Sequence, residues 1–256
     1  MATLDSIAYY LLKKVARAVR EFSLIAPGDH IAVGVSGGKD SRTLLELLLR
    51  GVALPQEEDG APGPRYRVTA LHVDGSTAGL PNLRPTLEPW LQAHDVPYEI
   101  VPLEVGKDEA LPLDCFRCAW NRRKALFQAA DRLGCNKIAF AHHADDAAVT
   151  TLLSLMYKGR LETLAPSLNF FEGRFFVIRP LILVPEAEIA RYARAAGWEF
   201  PAELDCPRTA TTRRADVQRF LHSLNGRERK AIRANLWRAA REAMEVCPTA
   251  STEEIG

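Results

Sequence analysis

Long apolar runs are missing from this sequence, and so is a basic-then-apolar leader. No stretch approaches the roughly 18 apolar residues of a membrane span, and Met1-Ala2-Thr3-Leu4-Asp5 lacks the order of a signal peptide. Both absences predict a cytoplasmic chain with no membrane partner. Cysteines are few and odd in number, five in 256 residues. That argues against a disulfide framework and leaves redox or metal chemistry for the thiols. Net charge is nearly absent as well, with 33 basic against 32 acidic side chains. The balance hides an asymmetry: between Arg208 and Arg241 ten basic residues face only Asp216 and Glu228, a local charge of +8. Such a segment predicts a phosphate-binding surface for nucleic acid, with Trp237 and Phe220 expected to anchor its helices to the core. What is present in quantity, 47% hydrophobic and 25% charged residues, is the composition of a folded soluble chain.

Positions 4–22 carry Ile7, Leu11, Leu12, Val15 and Val19 at helical spacing. The spacing predicts an amphipathic first helix, which serves either as a packing helix or as a homodimer surface. Strand-like runs at 31–35, 66–73, 98–102 and 137–141 alternate with helical patterns at 41–49, 85–93, 119–133 and 145–157. That alternation predicts an α/β fold, a parallel sheet wrapped by helices. The proline-, glycine- and acid-rich stretch 52–65 reads as an exposed loop. Beyond Gly159 the pattern changes to a hairpin turning at Glu172-Gly173, a helix from Pro185-Glu186 to Gly197, and one or two basic helices over 211–244. The expected organisation is an N-terminal helix (1–25), a nucleotide-binding catalytic domain (26–182) and a helical C-terminal segment (183–256) that binds RNA.

The first strand runs into Ser36-Gly37-Gly38-Lys39-Asp40-Ser41 and then a leucine-rich helix. Backbone N–H groups in a glycine-rich turn converge on one spot, and the helix N-terminus adds positive potential, so an anion binds there. Walker A, G-x-x-x-x-G-K-[ST], does not fit. Gly34 to Gly38 is one residue too short, and Asp40 stands where the magnesium-binding hydroxyl belongs.

The turn resembles the signature of the PP-loop ATP pyrophosphatases, which split ATP between the α and β phosphates and transfer AMP to a carbonyl oxygen. The resemblance implies that Ser36, Gly37, Gly38, Lys39, Asp40 and Ser41 bind ATP and magnesium. Lys39 and the turn would stabilise charge on the leaving pyrophosphate, and Asp40 would help place the metal. Asp74, ending the second strand in Leu-His-Val-Asp-Gly, is a nucleotide-side candidate. Phe-Ala-His-His-Ala-Asp-Asp (140–146) resembles the family's second signature and makes His142 another. Read without the resemblance, Asp145 and Asp146 are equally an ordinary helix start.

Cys115-x-x-Cys118 suits a zinc half-site, a redox pair or part of an iron–sulfur ligand set. Cys135 enters a buried strand and reads as a structural thiol. Cys247 has no companion motif, and Cys206 is the natural third partner. Three thiolates suit a 4Fe-4S cluster with one iron open; with His142 or His143 they suit zinc. The order of motifs decides which family is nearest: the PP-loop, Cys115-x-x-Cys118 followed by Arg122-Arg123, His-His-x-Asp-Asp, Ile178-Arg179-Pro180-Leu181, and the late Cys206. That order resembles the tRNA 2-thiocytidine synthetase family. The resemblance implies a 4Fe-4S cluster on Cys115, Cys118 and Cys206, and exchange of sulfur for the C2 oxygen of an anticodon-loop cytidine, at position 32 in that family. The implied route is adenylation of the carbonyl by ATP, attack by sulfur, and departure of AMP. Lys39, Asp40 and the three cysteines are the catalytic candidates, and a cysteine desulfurase is the kind of sulfur donor expected. Two departures stand out: Cys206 has no second cysteine nearby, and Ala141 replaces a glycine before the histidines. The zinc-finger pairs of a related thiouridine-forming group do not occur.

Two other functions remain open on the residues alone. One keeps the PP-loop but adenylates a small molecule or another nucleoside, with ammonia or a persulfide as nucleophile. The other is a non-enzymatic nucleotide- or zinc-binding module.

Overall fold

The computed structural model describes residues 3–54, 66–106, 109, 111, 113–200 and 212–246, the last four as backbone. A six-stranded sheet runs through its centre in the order β3-β2-β1-β4-β6-β5. The strands are β1 His30–Gly34, β2 Arg67–Asp74, β3 Tyr98–Pro102, β4 Lys137–Ala139, β5 Ser167–Phe170 and β6 Phe175–Ile178. All neighbours pair in parallel except β5 and β6, which form the antiparallel hairpin.

Burial on both faces explains the apolar runs Ile31-Ala32-Val33 in β1 and Ile138-Ala139 in β4. In β1, Ile31 and Val33 enter one core and Ala32 the other, as alternate side chains on a strand must. Helices α1 (Leu4–Phe22), α2 (Lys39–Leu49) and α6 (Glu186–Ala195) supply the first core through Leu11, Val15, Leu44, Leu48, Ile189 and Tyr192. α3 (Arg84–Ala93) adds Leu87 and Leu91 to it. α4 (Cys115–Arg132) covers the opposite face with Leu126, Ala129 and Ala130. α5 (Ala144–Lys158) carries a third, smaller core with α7 (Arg213–Ser223) and α8 (Gly226–Val246), built on Val149, Val217 and Leu221.

Elements begin where capping chemistry allows. Thr3 accepts the Ser6 N–H to start α1, and Asp114 accepts the Arg117 N–H at 2.8 Å to start α4. α4 therefore begins at Cys115, four residues before the expected 119, and both cysteines of the C-x-x-C lie in its first turn. Apolar periodicity missed this turn because it is exposed and its start is set by the Asp114 cap. β4 stops at Ala139 instead of running to 141, and the chain then leaves the sheet to deliver His142 and His143 to the head of α5. Trp237 packs edge-on against Phe22, ring centroids 6.1 Å apart, as an anchor should. Phe220 does not anchor: it is 54% exposed on α7, because the buried face of that helix is made by Val217 and Leu221.

Candidate active site

Strand order reverses at β1, which is followed outward by β2 and β3 on one side and then by β4 on the other. At such a switch point the loops after two adjacent strands part and leave a crevice at the strand C-termini. The loop after β1 is Ser36–Ser41 and the loop after β4 carries His142 and His143.

The β1 turn is locked from within. Ser41 Oγ accepts the Ser36 N–H at 3.1 Å and donates to the Gly38 carbonyl at 3.0 Å. The Ser36 and Ser41 hydroxyls lie 3.1 Å apart. Gly37 takes φ +88°, a left-handed conformation that glycine adopts without strain. Gly34 is needed for closeness, since a Cβ there would meet the Phe140 ring at 3.2 Å. Beneath the turn, buried His72 places Nδ1 2.8 Å from the Val35 carbonyl. Burial pushes its pKa below the usual histidine value, so the neutral ring donates this bond and fixes the strand exit.

Lys39 and Asp40 open α2 and face a cavity of about 200 Å³ shared with His143, Asp145, Asp146 and Glu186. Lys39 Nζ bridges Glu186 at 3.0 Å and Asp40 at 3.2 Å. Burial works against its charge, but the two carboxylates outweigh it and hold its pKa above the ordinary value. Asp40 is raised for the reason that usually dominates a buried acid, desolvation, against the opposing charges of Lys39 and His143. Its Oδ1 is buried with no hydrogen-bond partner and lies 4.0 Å from His143 Nε2. An orphaned carboxylate oxygen beside the Ser36–Ser41 turn has the chemistry of a magnesium ligand. Among the described residues no three carboxylate, imidazole or thiol groups converge into a cage. Magnesium suits that arrangement, because it usually takes one or two carboxylates and fills its remaining positions with phosphate and water.

The second signature serves two purposes. His143 caps α5: its ring Nδ1 accepts the Asp146 backbone N–H at 3.4 Å while the His143 backbone N–H donates to Asp146 Oδ2 at 3.0 Å. That is a reciprocal capping box with histidine and aspartate in the usual serine and glutamate positions. The two aspartates then reach away from the strand. Asp145 accepts the Glu186 N–H at 2.8 Å and pairs with Arg233 of α8 at 3.0 Å. Asp146 pairs with Arg214 of α7. Burial tends to raise the Asp146 pKa, but the charges of His143 and Arg214 hold it below the carboxylate range.

His142 turns elsewhere. Its Nδ1 accepts from Arg179 Nε at 3.3 Å, and burial together with the Arg179 charge brings its pKa down to about 4. His143, not His142, is thus the histidine against Asp40. Asp74 ends β2, where its Oδ1 accepts the Ser76 N–H at 2.9 Å. Burial is outweighed there by the Ser76 hydrogen bonds, so its pKa is lowered. Glu186, Arg214 and Arg233 were not legible as site residues. Only the Pro185-Glu186 helix start offered a signal, and it carried no hint of the distant partner.

Cys115 and Cys118, three residues apart in the first turn of α4, share one helix face. Cys115 is exposed and Cys118 half-buried, so the pair is open to an approaching metal group. Arg122 and Arg123 follow on the same helix. The donor chemistry fits two ligands of a cluster. Cys206, the third candidate, and Cys247 lie outside the described residues. Cys135 is buried and its thiol is pushed up to about 11 by desolvation, as a structural cysteine would be.

A mainly parallel α/β sheet with a Ser-Gly-Gly-Lys-Asp-Ser turn at its switch point defines a PP-loop nucleotide-binding protein. The fold matches that of the U34-tRNA thiolase NcsA from Methanococcus maripaludis, solved with its [4Fe-4S] cluster, with a TM-score of 0.68 at 21% identity, covering 96% of this chain and 86% of that one. Over 235 residues the sequence is 37% identical to the tRNA-cytidine(32) 2-sulfurtransferase of Anaeromyxobacter dehalogenans (strain 2CP-C), covering 90% of this chain and 77% of the relative. It is 36% identical over 222 residues to the enzyme of the same name from Xanthomonas campestris pv. campestris (strain B100), covering 84% and 70%. No protein-family model matches the chain. The chain belongs to the tRNA-cytidine(32) 2-sulfurtransferase family.

Proposed function

We propose that this chain is an ATP-dependent tRNA sulfurtransferase that replaces the C2 oxygen of cytidine 32 with sulfur, releasing AMP and pyrophosphate. The observation that carries the reading is its 37% identity with a tRNA-cytidine(32) 2-sulfurtransferase across 235 residues, including a PP-loop folded at the sheet's switch point. Ser36, Gly37, Gly38 and Ser41 cradle the β and γ phosphates of ATP through the locked turn. Lys39 neutralises charge that builds on the departing pyrophosphate.

Charge balance supports a metal ion in this role. The cavity holds Asp40, Asp145, Asp146 and Glu186, and a polyphosphate beside four carboxylates needs cations between them. Arg214 and Arg233 cover Asp146 and Asp145, and Lys39 is shared between Asp40 and Glu186; Asp40, with its unpartnered Oδ1, is the carboxylate for magnesium. His143 lies 4.0 Å behind it. Asp74, at the end of β2, is a nucleotide-side acid, and His142 supports the site through Arg179.

Cys115, Cys118 and Cys206 would hold a 4Fe-4S cluster, the group named for NcsA. Its chemistry, when bound, is to present sulfur as a nucleophile. The chain's part is to supply thiol ligands at the open start of α4. Residues 26–182 act as the catalytic unit and 183–256 as the tRNA-binding unit, through the basic 208–241 segment. A cysteine desulfurase class of enzyme supplies the sulfur in the cytoplasm. No described helix is long and apolar enough to cross a membrane. Tyr9 and Tyr10, exposed on the outer side of α1, are the surface available to a homodimer.

The test is anaerobic incubation of the cluster-loaded protein with unmodified tRNA, ATP, magnesium and a sulfide source, followed by mass analysis of nucleosides. The expected product is 2-thiocytidine with one AMP formed for each. AMP formation with no thiolated nucleoside would move the activity to another acceptor.

A further inference from the structure

α4 has a third face that neither packing nor the thiols use. Phe116 and Trp120 stand four residues apart on it, 53% and 41% exposed. Residues at that spacing lie one above the other on a helix. The Arg117 guanidinium lies 4.9 Å from the Trp120 ring centroid and the Lys124 ammonium 5.6 Å. Arg117 is also paired with Glu109, which fixes it over the ring. Arg117 and Lys124 are thus the cations held at this aromatic face. Two large aromatic rings held in water are costly unless something covers them, and here the surrounding charge selects what that is. Aromatic faces bordered by cations suit unpaired nucleobases, whose rings stack while their phosphates meet the positive charge.

We infer that Phe116 and Trp120 form a stacking platform for unpaired bases of the tRNA anticodon loop, with Lys124 contacting the adjoining phosphate. The inference rests on the tRNA reading above and deepens it. Sequence-specific RNA recognition works largely on single-stranded loops splayed onto aromatic side chains. Phe116 directly follows Cys115, so a base stacked there lies within about one helical turn, ~5.4 Å along the axis, of the thiol pair. The platform would hold the loop open where the reacting pyrimidine must arrive.

The experiment titrates fluorescently labelled anticodon stem-loop RNA, and a duplex of equal length, into the cluster-loaded full chain. Phe116→Ala, Trp120→Ala, Trp120→Phe and Lys124→Ala are compared with the parent. Each aromatic-to-alanine change is expected to weaken stem-loop binding by roughly tenfold and duplex binding little, with iron content and ATP binding unchanged. Trp120→Phe should restore most of the affinity. Lys124→Ala should reduce the slope of log affinity against log salt, whereas the aromatic variants should keep it. Equal stem-loop affinity in Phe116→Ala and Trp120→Ala overturns the platform while leaving tRNA thiolation intact. So does a change of sedimentation from dimer to monomer without loss of RNA affinity, which assigns the face to a second copy. Failure of the parent itself to bind tRNA would instead sink the underlying reading.

Discussion

Arg233 of α8 holds Asp145 of α5 with Nη1 3.0 and 3.2 Å from its two carboxylate oxygens, across 88 residues of chain. Both side chains are more than four-fifths buried, at 18% and 17% exposure. The bond docks the basic helices onto the strand-end loop that also positions His143. Removing one partner leaves a partly buried charge uncompensated, which in buried pairs costs about 3–5 kcal/mol. Arg233→Ala is expected to destabilise the chain by about 2–3 kcal/mol, somewhat less because the pair is not wholly dry. Chemical unfolding of Arg233→Ala, Asp145→Asn and the double variant measures this. Additive losses would show that the two residues do not couple.

Asp40 predicts a separation of stability from activity. Its folded pKa lies above the unfolded value of 3.8, so the folded chain holds the proton more tightly. The stabilising contribution is complete below 3.8 and is lost as pH rises through the raised value. Asp40→Asn removes that loss and leaves Lys39 its bridge to Glu186. Its melting temperature at pH 7 should equal or exceed that of the parent, while AMP formation falls roughly 10²- to 10³-fold. A lower melting temperature with retained activity would contradict both parts.

His142 sets an acid limit. It titrates at about 4 in the folded chain against 6.5 when unperturbed, so unfolding takes up a proton between those values. Stability is full above about 6.5 and declines as pH falls toward 4. Asp146, whose folded pKa is lowered from 3.8, adds a further loss below that range. In His142→Asn the amide oxygen still accepts from Arg179 but cannot titrate. Denaturant unfolding from pH 7 to 4.5 should then show a flatter stability profile than the parent.

Gly37 tests the turn. At φ +88° a side chain costs about 1–2 kcal/mol. Gly37→Ala should lower stability by that amount and weaken ATP binding measured calorimetrically, because the N–H groups no longer converge. For stability alone, Gly38→Ala is the control: its Cβ would meet only Ser36 Oγ, at 3.6 Å.

Cys115→Ser should abolish tRNA thiolation and strip iron from the anaerobically purified chain, from about four per chain to near none. Cys135→Ser, altering a buried thiol, should leave iron content unchanged. Iron retained in Cys115→Ser would remove that residue from the ligand set.

Local chemistry made much of this molecule readable. β1 is apolar because both its faces are buried, and the Ser36–Ser41 turn is stabilised almost wholly by its own hydroxyls and carbonyls. α1 and the β5–β6 hairpin lie where periodicity and turn residues put them. The start of α4 was misjudged because the deciding interaction, the Asp114 cap, acts on an exposed turn with no apolar stripe. Phe220 looked like an anchor as an aromatic in a basic helix, but neighbouring Val217 and Leu221 fill the space beneath.

The sequence by itself determined the strand and helix alphabet, the Ser36–Ser41 turn and the close spacing of Cys115 and Cys118, because caps, glycine torsions and side-chain periods act over a few residues. Tertiary structure decided which histidine meets Asp40, that Glu186 bridges Lys39, and that Arg214 and Arg233 return to the two aspartates of α5. Those contacts join segments far apart in the chain, 88 residues for Arg233 and Asp145 and more for Lys39 and Glu186. Their geometry follows from how the helices pack on the sheet, and no local pattern encodes that.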